Sequence, residues 1–135
     1  MSIHGEIKFD WGDEEHTFRL GLKEIRELQE HKHVGVGPLV LFNRIQTGAW
    51  KIDDLRETIR LGLIGGGMKP EVALQKVRRY VDDFPKVNSV EPALTILGAF
   101  LVGDPVDPVG KRFAVEDENE ATDASPSPQS SASVP

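Results

Sequence analysis

Residues 17–28 read Thr-Phe-Arg-Leu-Gly-Leu-Lys-Glu-Ile-Arg-Glu-Leu, and the spacing of the apolar side chains changes within this segment. Phe18, Leu20 and Leu22 alternate with other residues, which predicts a β-strand with one apolar face. From Leu22 to Leu28 the apolar residues recur at every third position, as they do on the buried side of a helix. The segment therefore predicts a strand that leads directly into a helix, and so a domain of mixed structure.

A second alternating segment lies upstream of this strand. Ile7, Phe9 and Trp11 alternate with charged residues, and Gly12-Asp13 is typical of a turn. The two segments together predict an antiparallel β-hairpin that is apolar on one side. Since an isolated hairpin is only marginally stable in water, it must pack on the part of the chain that follows.

The apolar spacing downstream predicts about five helices, bounded by capping residues, prolines and glycines. Their expected ranges are 22–33, 38–47, 54–64, 70–84 and 90–102. Asp53 and Ser89 are the expected N-caps of the third and fifth helices. The predicted fold class is therefore α+β, with an N-terminal β-hairpin packed on a small bundle of about five helices.

The fifth predicted helix carries no charged residue between Pro92 and Gly103. A helix that is apolar nearly all round is expected to be covered on both faces. It is either a central core helix or a helix that uses one face to meet a partner or a second copy, and both roles are compatible. The partner-binding candidates are two residues on the outer side of helix 38–47 and three on this helix: Leu39, Phe42, Leu97, Phe100 and Leu101.

The composition changes after Gly103. Residues 104–135 carry seven acidic residues against two basic ones, a net charge of −5, whereas residues 1–103 carry a net charge of −1. The later part of this segment is rich in serine, proline and alanine and has few large apolar side chains. We therefore predict a folded domain over residues 1–103 and a disordered acidic tail over residues 104–135.

No constellation of residues predicts catalysis, a cofactor or a metal. The chain has no cysteine, and Gly65-Gly66-Gly67 ends a helix instead of forming a phosphate loop, because Pro70 takes the place of the required serine or threonine. His31 and His33 are two positions apart on a helix and point to different sides. The sequence therefore indicates a non-enzymatic protein.

The charge distribution does not favour nucleic acid. Lys76, Arg78 and Arg79 form a small basic cluster, but Asp82 and Asp83 lie within helical reach and are expected to pair with the two arginines. No apolar run approaches the roughly 18 residues of a membrane helix, and no signal peptide is recognised, so the protein is expected in the cytoplasm. The expected partners are proteins.

The order of these segments resembles a known family. A hairpin beginning Gly5-Glu6-Ile7, the strand-to-helix passage Thr17–Leu28, a helix ending Leu61–Gly67, a Pro70-Glu71 helix start and a closing apolar helix follow one another. Over roughly residues 5–103 this order is similar to the tail assembly chaperones of siphophage-like particles, in the branch found in gene transfer agents and prophages.

The resemblance implies a function without chemistry. A chaperone of this family binds and solubilises the tape measure protein, gives way to tail tube subunits, and is absent from the mature particle. Tail tube contacts and self-association are also expected. Two alternatives stay open: a structural minor tail component, such as a tube or tail completion protein retained in the particle, and a bacterial regulatory adaptor unrelated to phage.

Overall fold

The computed structural model describes residues 3–103, which form an N-terminal β-hairpin and five α-helices. The elements are β1 (Ile7–Trp11), β2 (Glu14–Phe18), α1 (Leu22–Glu30), α2 (Pro38–Gln46), α3 (Ile52–Gly65), α4 (Pro70–Val77) and α5 (Val90–Val102). A π-helical turn, Arg78–Asp82, and a 3-10 turn, Lys86–Ser89, join α4 to α5. The predicted α+β class is confirmed. The predicted disordered tail lies outside the described residues, and the domain division at residue 103 stays a prediction.

Helix α3 is the centre of the domain. It packs against the other four helices and against β2. Leu55, Ile59 and Leu63, which the sequence predicts to point inward, are fully buried. Each buried side chain of this size contributes about 1.5–3 kcal/mol relative to an exposed one, so the apolar stripe of α3 is a major source of stability. Within residues 3–103, no helix is both long enough and apolar enough to cross a bilayer.

The hairpin has the predicted turn at Gly12-Asp13. Trp11 pairs with Glu14 across it, and Gly12 has a φ of +67°, which glycine adopts without strain. The second strand is shorter than predicted, because it ends at Phe18 and Leu22 is 66% exposed at the start of α1. The backbone N–H of Arg19 donates to the carbonyl of Gly62 at 2.9 Å, so the chain leaves β1 at this point and turns to α3.

Helix boundaries differ from the predictions where side chains or tertiary contacts determine the ends. The first helix ends at Glu30 and not near His33. Asp53 is not the N-cap of α3, because the helix begins after Lys51, whose backbone N–H donates to Asp54 Oδ2 at 2.8 Å. The side chain of Asp54, the third residue of α3, thus accepts a hydrogen bond from the backbone N–H of the residue that precedes the helix.

Tertiary packing determines which apolar residues of α2 and α4 are buried. In α2 the buried residues are Leu41 and Ile45, whereas Leu39 is 59% exposed. Helix α4 ends at Val77, and the π-helical turn that follows keeps Val81 buried but leaves Phe84 46% exposed. The helix predicted over residues 70–84 therefore ends early, and its last predicted residue is not part of the core.

The C-terminal end of α3 lies directly on β2. A Cβ atom added to Gly65 would lie 1.9 Å from the carbonyl oxygen of Arg19, and one added to Gly66 would lie 2.1 Å from that of Thr17. A side chain of any size would therefore separate the two elements. These glycines end the helix, as predicted, and they also let α3 approach the outer edge of β2 closely at Thr17.

An ion pair with a fully buried carboxylate joins α2 to α3. Arg44 donates to Asp54 from Nε at 2.8 Å and from Nη2 at 2.7 Å, and Nη2 also donates to the carbonyl oxygen of Val34. The side chain of Asp54 is 0% exposed and that of Arg44 is 18% exposed. Since a buried carboxylate without a partner is costly, this pair constrains how the two helices pack.

Candidate interaction surface

Helix α5 is buried on one side and partly open on the other. Ala93, Ile96 and Leu97 are fully buried, whereas Val102 is 75% exposed. Leu94 and Leu101 are partly buried and lie on the same side of the helix, seven positions apart. The sequence predicts that both faces of this helix are covered. Within residues 3–103, one face is fully covered and the other is covered only in part.

Helix α2 extends the open side of α5. The two helices pack against each other, and a Cβ atom added to Gly98 would be 3.8 Å from Cε1 of Phe42. Leu39 lies one turn before Phe42 and is exposed. We call the five apolar residues on these two helices the α2/α5 surface; they are Leu39, Phe42, Leu94, Leu101 and Val102.

The structure places the five predicted partner-binding residues differently. Leu39 is exposed, and Phe42, Phe100 and Leu101 are partly buried. Leu97 is fully buried, so it is a core residue and does not reach a partner in this conformation. Phe100 packs against the core, and its carbonyl oxygen accepts a hydrogen bond from Nε2 of His4 at 3.0 Å. Contact between the accessible residues and a partner stays a prediction.

Sequence reasoning missed Leu94 and Val102. Helical spacing was available as a signal, since Leu94 and Leu101 are seven residues apart and Gly98 and Val102 are four apart. The five residues that define the α2/α5 surface are all apolar, and exposed Glu91 lies on the same side of α5, three positions before Leu94. A contact between two copies through the apolar residues must therefore leave the Glu91 side chains at its rim, in water.

A polar cluster lies at the hairpin turn. Asp13, Glu14 and His16 bring two carboxylates and an imidazole nitrogen within 4.8 Å of one another, a grouping that sequence reasoning did not identify. Nζ of Lys76 lies 3.0 and 3.1 Å from the two carboxylate oxygens of Asp13, and 3.9 Å from Glu14. The lysine supplies the positive charge in this cluster, which links the hairpin turn to α4.

Lys76 should control the titration of Asp13. Its hydrogen bonds to Asp13, with a smaller contribution from His16, lower the pKa of that carboxyl from its ordinary value. Because the folded-state pKa is the lower one, the stabilisation is present above the unfolded pKa and is lost as the pH falls through the folded value. The substitution Lys76→Met should raise the pKa of Asp13, as measured by NMR titration of the carboxyl carbon. An unchanged pKa would show that the lysine does not hold the carboxylate in solution.

The basic residues near this cluster are paired differently from the prediction. Asp82 accepts from Nε of Arg56 at 3.0 Å and does not pair with Arg78. Within residues 3–103, Arg78 and Arg79 form no salt bridge, and Cζ of Arg79 lies 5.7 Å from the ring centroid of Tyr80. Asp13 and Asp83 line the same open groove as Arg78 and Arg79, so the groove carries charges of both signs. The prediction that nucleic acid is not a partner stays untested.

One comparison with known proteins gives a match. The model of a family described as "Phage tail tube protein, GTA-gp10" matches residues 4–103, which is nearly the whole described fold. Comparisons with curated proteins and with solved structures give no match.

This match corrects two predictions. A tail tube protein is a structural component, so the predicted role as a tail assembly chaperone is wrong, and so is the predicted absence from the mature particle. The open alternative, a structural tail component, agrees better with the match. Binding of the tape measure protein stays a prediction. Because the match covers 100 of the 135 residues, the chain belongs to the family described as phage tail tube protein, GTA-gp10.

Proposed function

We propose that the chain is a structural subunit of the tail tube of a phage-like particle or gene transfer agent, and that it stays in the finished particle. The observation that carries this proposal is the family match, which extends over residues 4–103 and so includes both strands and all five helices of the described fold. The function then depends on protein–protein contact and needs no catalytic group.

A tube is built from repeated subunits, so a tube protein needs surfaces that meet other copies or neighbouring tail proteins. The α2/α5 surface has the chemistry for such a contact. Val102 and Leu39 expose apolar area that a neighbour would remove from water, at about 25 cal/mol per Å². Phe42, Leu94 and Leu101 continue this area inward, and none of these five side chains carries a charge. We assign the α2/α5 surface to contact with another tail subunit.

The proposal is tested by measuring the protein in purified particles. Quantitative mass spectrometry should find the wild-type chain in a fixed ratio to the other tail proteins. The variants Leu39→Glu and Val102→Glu should be lost from particles, since each places a charge on the α2/α5 surface. Both side chains are more than half exposed, so the isolated variants should keep the thermal midpoint of the wild type.

A matched control is Val87→Glu on the 3-10 turn, where the side chain is 66% exposed and lies outside the α2/α5 surface. This variant should enter particles like the wild type. If the wild-type chain is present in cell lysates but missing from particles, the structural role is overturned. If the chain is present and the Leu39 and Val102 variants are also incorporated, the role stands and its contact lies on another surface.

A further inference from the structure

The β-hairpin has two long edges, and the described residues cover them unequally. At Thr17 the outer edge of β2 lies against the end of α3, where Gly65 and Gly66 allow close approach. Within residues 3–103, no backbone or side-chain group forms a hydrogen bond with the backbone of Lys8 or Asp10 at the outer edge of β1. An unpaired strand edge is a template for another strand.

The hairpin geometry shows which groups form that edge. Trp11 and Glu14 flank a two-residue turn and therefore form a hydrogen-bonded pair. Pairs alternate along an antiparallel ladder, so Lys8 and Asp10 are at positions whose N–H and C=O groups point away from β2. Thr17, which pairs with Lys8, supports this assignment, because its carbonyl oxygen faces Gly66 and not β1.

We propose that β1 pairs in antiparallel orientation with β1 of a second copy of this chain, with Phe9 at the two-fold axis. This register places Lys8 of each copy opposite Asp10 of the other, so two cross-strand ion pairs form. The same register aligns the outward N–H and C=O groups of Lys8 and Asp10 as hydrogen-bonded pairs. Charge complementarity and backbone geometry therefore favour the same arrangement.

The charges within one hairpin add to this argument. Asp10 lies directly opposite Glu15 in the ladder, and like charges at such positions are destabilising. Lys8 and Asp10 are both exposed, and neither forms a salt bridge with another described residue. Lys8 of a second copy would bring a positive charge next to Asp10 and offset this repulsion.

The pairing goes beyond the proposed function, because it joins two copies through β1 and does not use the α2/α5 surface. The α2/α5 surface consists of apolar side chains on two helices. The β1 contact consists of backbone hydrogen bonds and of ion pairs between Lys8 and Asp10. The two contacts therefore respond to different substitutions. An experiment that contradicts the β1 pairing therefore does not contradict the α2/α5 contact, and the reverse also holds.

Charge reversal in the full-length protein tests the pairing. Asp10→Lys gives two lysines opposite each other in every pair, and Lys8→Asp gives two acids, so each variant alone should associate at least about tenfold more weakly than the wild type. An equimolar mixture of the two variants restores opposite charges at both positions and should regain association. The double variant K8D/D10K should also associate. Sedimentation velocity over a range of concentrations measures all four samples against the wild type.

Engineered cysteines give an independent measurement, because the chain has no natural cysteine. Hydrogen-bonded partners in an antiparallel ladder have Cα atoms about 5.5 Å apart, within reach of a disulfide. A mixture of Lys8→Cys and Asp10→Cys should form a disulfide-linked dimer, and neither variant alone should. The pairing is overturned if the wild type is monomeric, if the single charge variants associate as the wild type does, or if the mixtures neither regain association nor cross-link.

Discussion

Replacing Gly65 with alanine is expected to lower the free energy of unfolding by about 3 kcal/mol, at the upper end of what overpacking of a close contact costs. The added Cβ atom would lie 1.9 Å from the carbonyl oxygen of Arg19 and 3.0 Å from its carbonyl carbon. Neither neighbour is a flexible side chain, so α3 or β2 has to move. Such a movement would also weaken the hydrogen bond from Arg19 N–H to the carbonyl of Gly62.

Denaturant unfolding of the purified chain measures this loss. Gly98→Ala is the matched control, since Gly98 also lies in a helix but an added Cβ would meet Phe42 at an ordinary 3.8 Å. Alanine is a better helix former than glycine by up to about 1 kcal/mol, so this variant should be as stable as the wild type or more stable. Equal stability of Gly65→Ala and the wild type would mean that α3 does not lie this close to β2 in solution.

Replacing Arg44 with leucine should cost about 3–5 kcal/mol, because it leaves a buried carboxylate without its counter-charge. Asp54 would lose the donors at Nε and Nη2 and keep the backbone N–H of Lys51. The carbonyl oxygen of Val34 would also lose a donor. Two buried acceptors would therefore be left with fewer hydrogen bonds, at the junction of α2 and α3.

The same chemical change at an exposed arginine gives the comparison. Arg78 is exposed and forms no salt bridge within residues 3–103, so Arg78→Leu should change the free energy of unfolding by less than about 0.5 kcal/mol. Urea unfolding of both variants, with circular dichroism as the signal, separates the two cases. A loss below about 1 kcal/mol for Arg44→Leu would show that water or another cation satisfies Asp54 when the arginine is absent.

Local patterns in the sequence predict much of this fold. Alternation identifies the strand that carries Ile7, Phe9 and Trp11, and helical spacing identifies Leu55, Ile59 and Leu63 as the inner side of α3. Both patterns arise because one face of the element is buried, so they are visible without any knowledge of the rest of the molecule. The fold class follows from their order.

Features that depend on distant parts of the chain are not predictable in this way. In the short helix α2, Leu39 and Leu41 both fit a helical stripe with Ile45, and only packing against α3 and α5 decides which is buried. Glycines such as Gly65 and Gly66 are common at helix ends. Their presence therefore does not reveal that they also contact Thr17 and Arg19. Asp82 likewise pairs with Arg56, 26 positions away, and not with a neighbour.

The candidate interaction surface also combines features that local sequence patterns predict with features that depend on tertiary packing. Helical spacing places Leu94, Leu101 and Val102 on α5, but it does not show which side of a helix that is apolar nearly all round is left open. The buried position of Leu97 is a consequence of tertiary packing in the core. The functional prediction was limited in another respect, because the order of segments identifies a tail protein family but contains no residue whose chemistry distinguishes one role in the tail from another.

The close approach of α3 to β2 also limits how far strands can add to this protein. A sheet grows into a fibre only when each copy has two free strand edges, so that it can pair with one neighbour on each side. The glycine-rich end of α3 covers the outer edge of β2 at Thr17, so a strand that approaches this edge cannot pair along its whole length without meeting α3. If β1 pairs as proposed, the close approach of Gly65 and Gly66 to β2 would hinder addition of a further strand and so work against growth of an extended sheet.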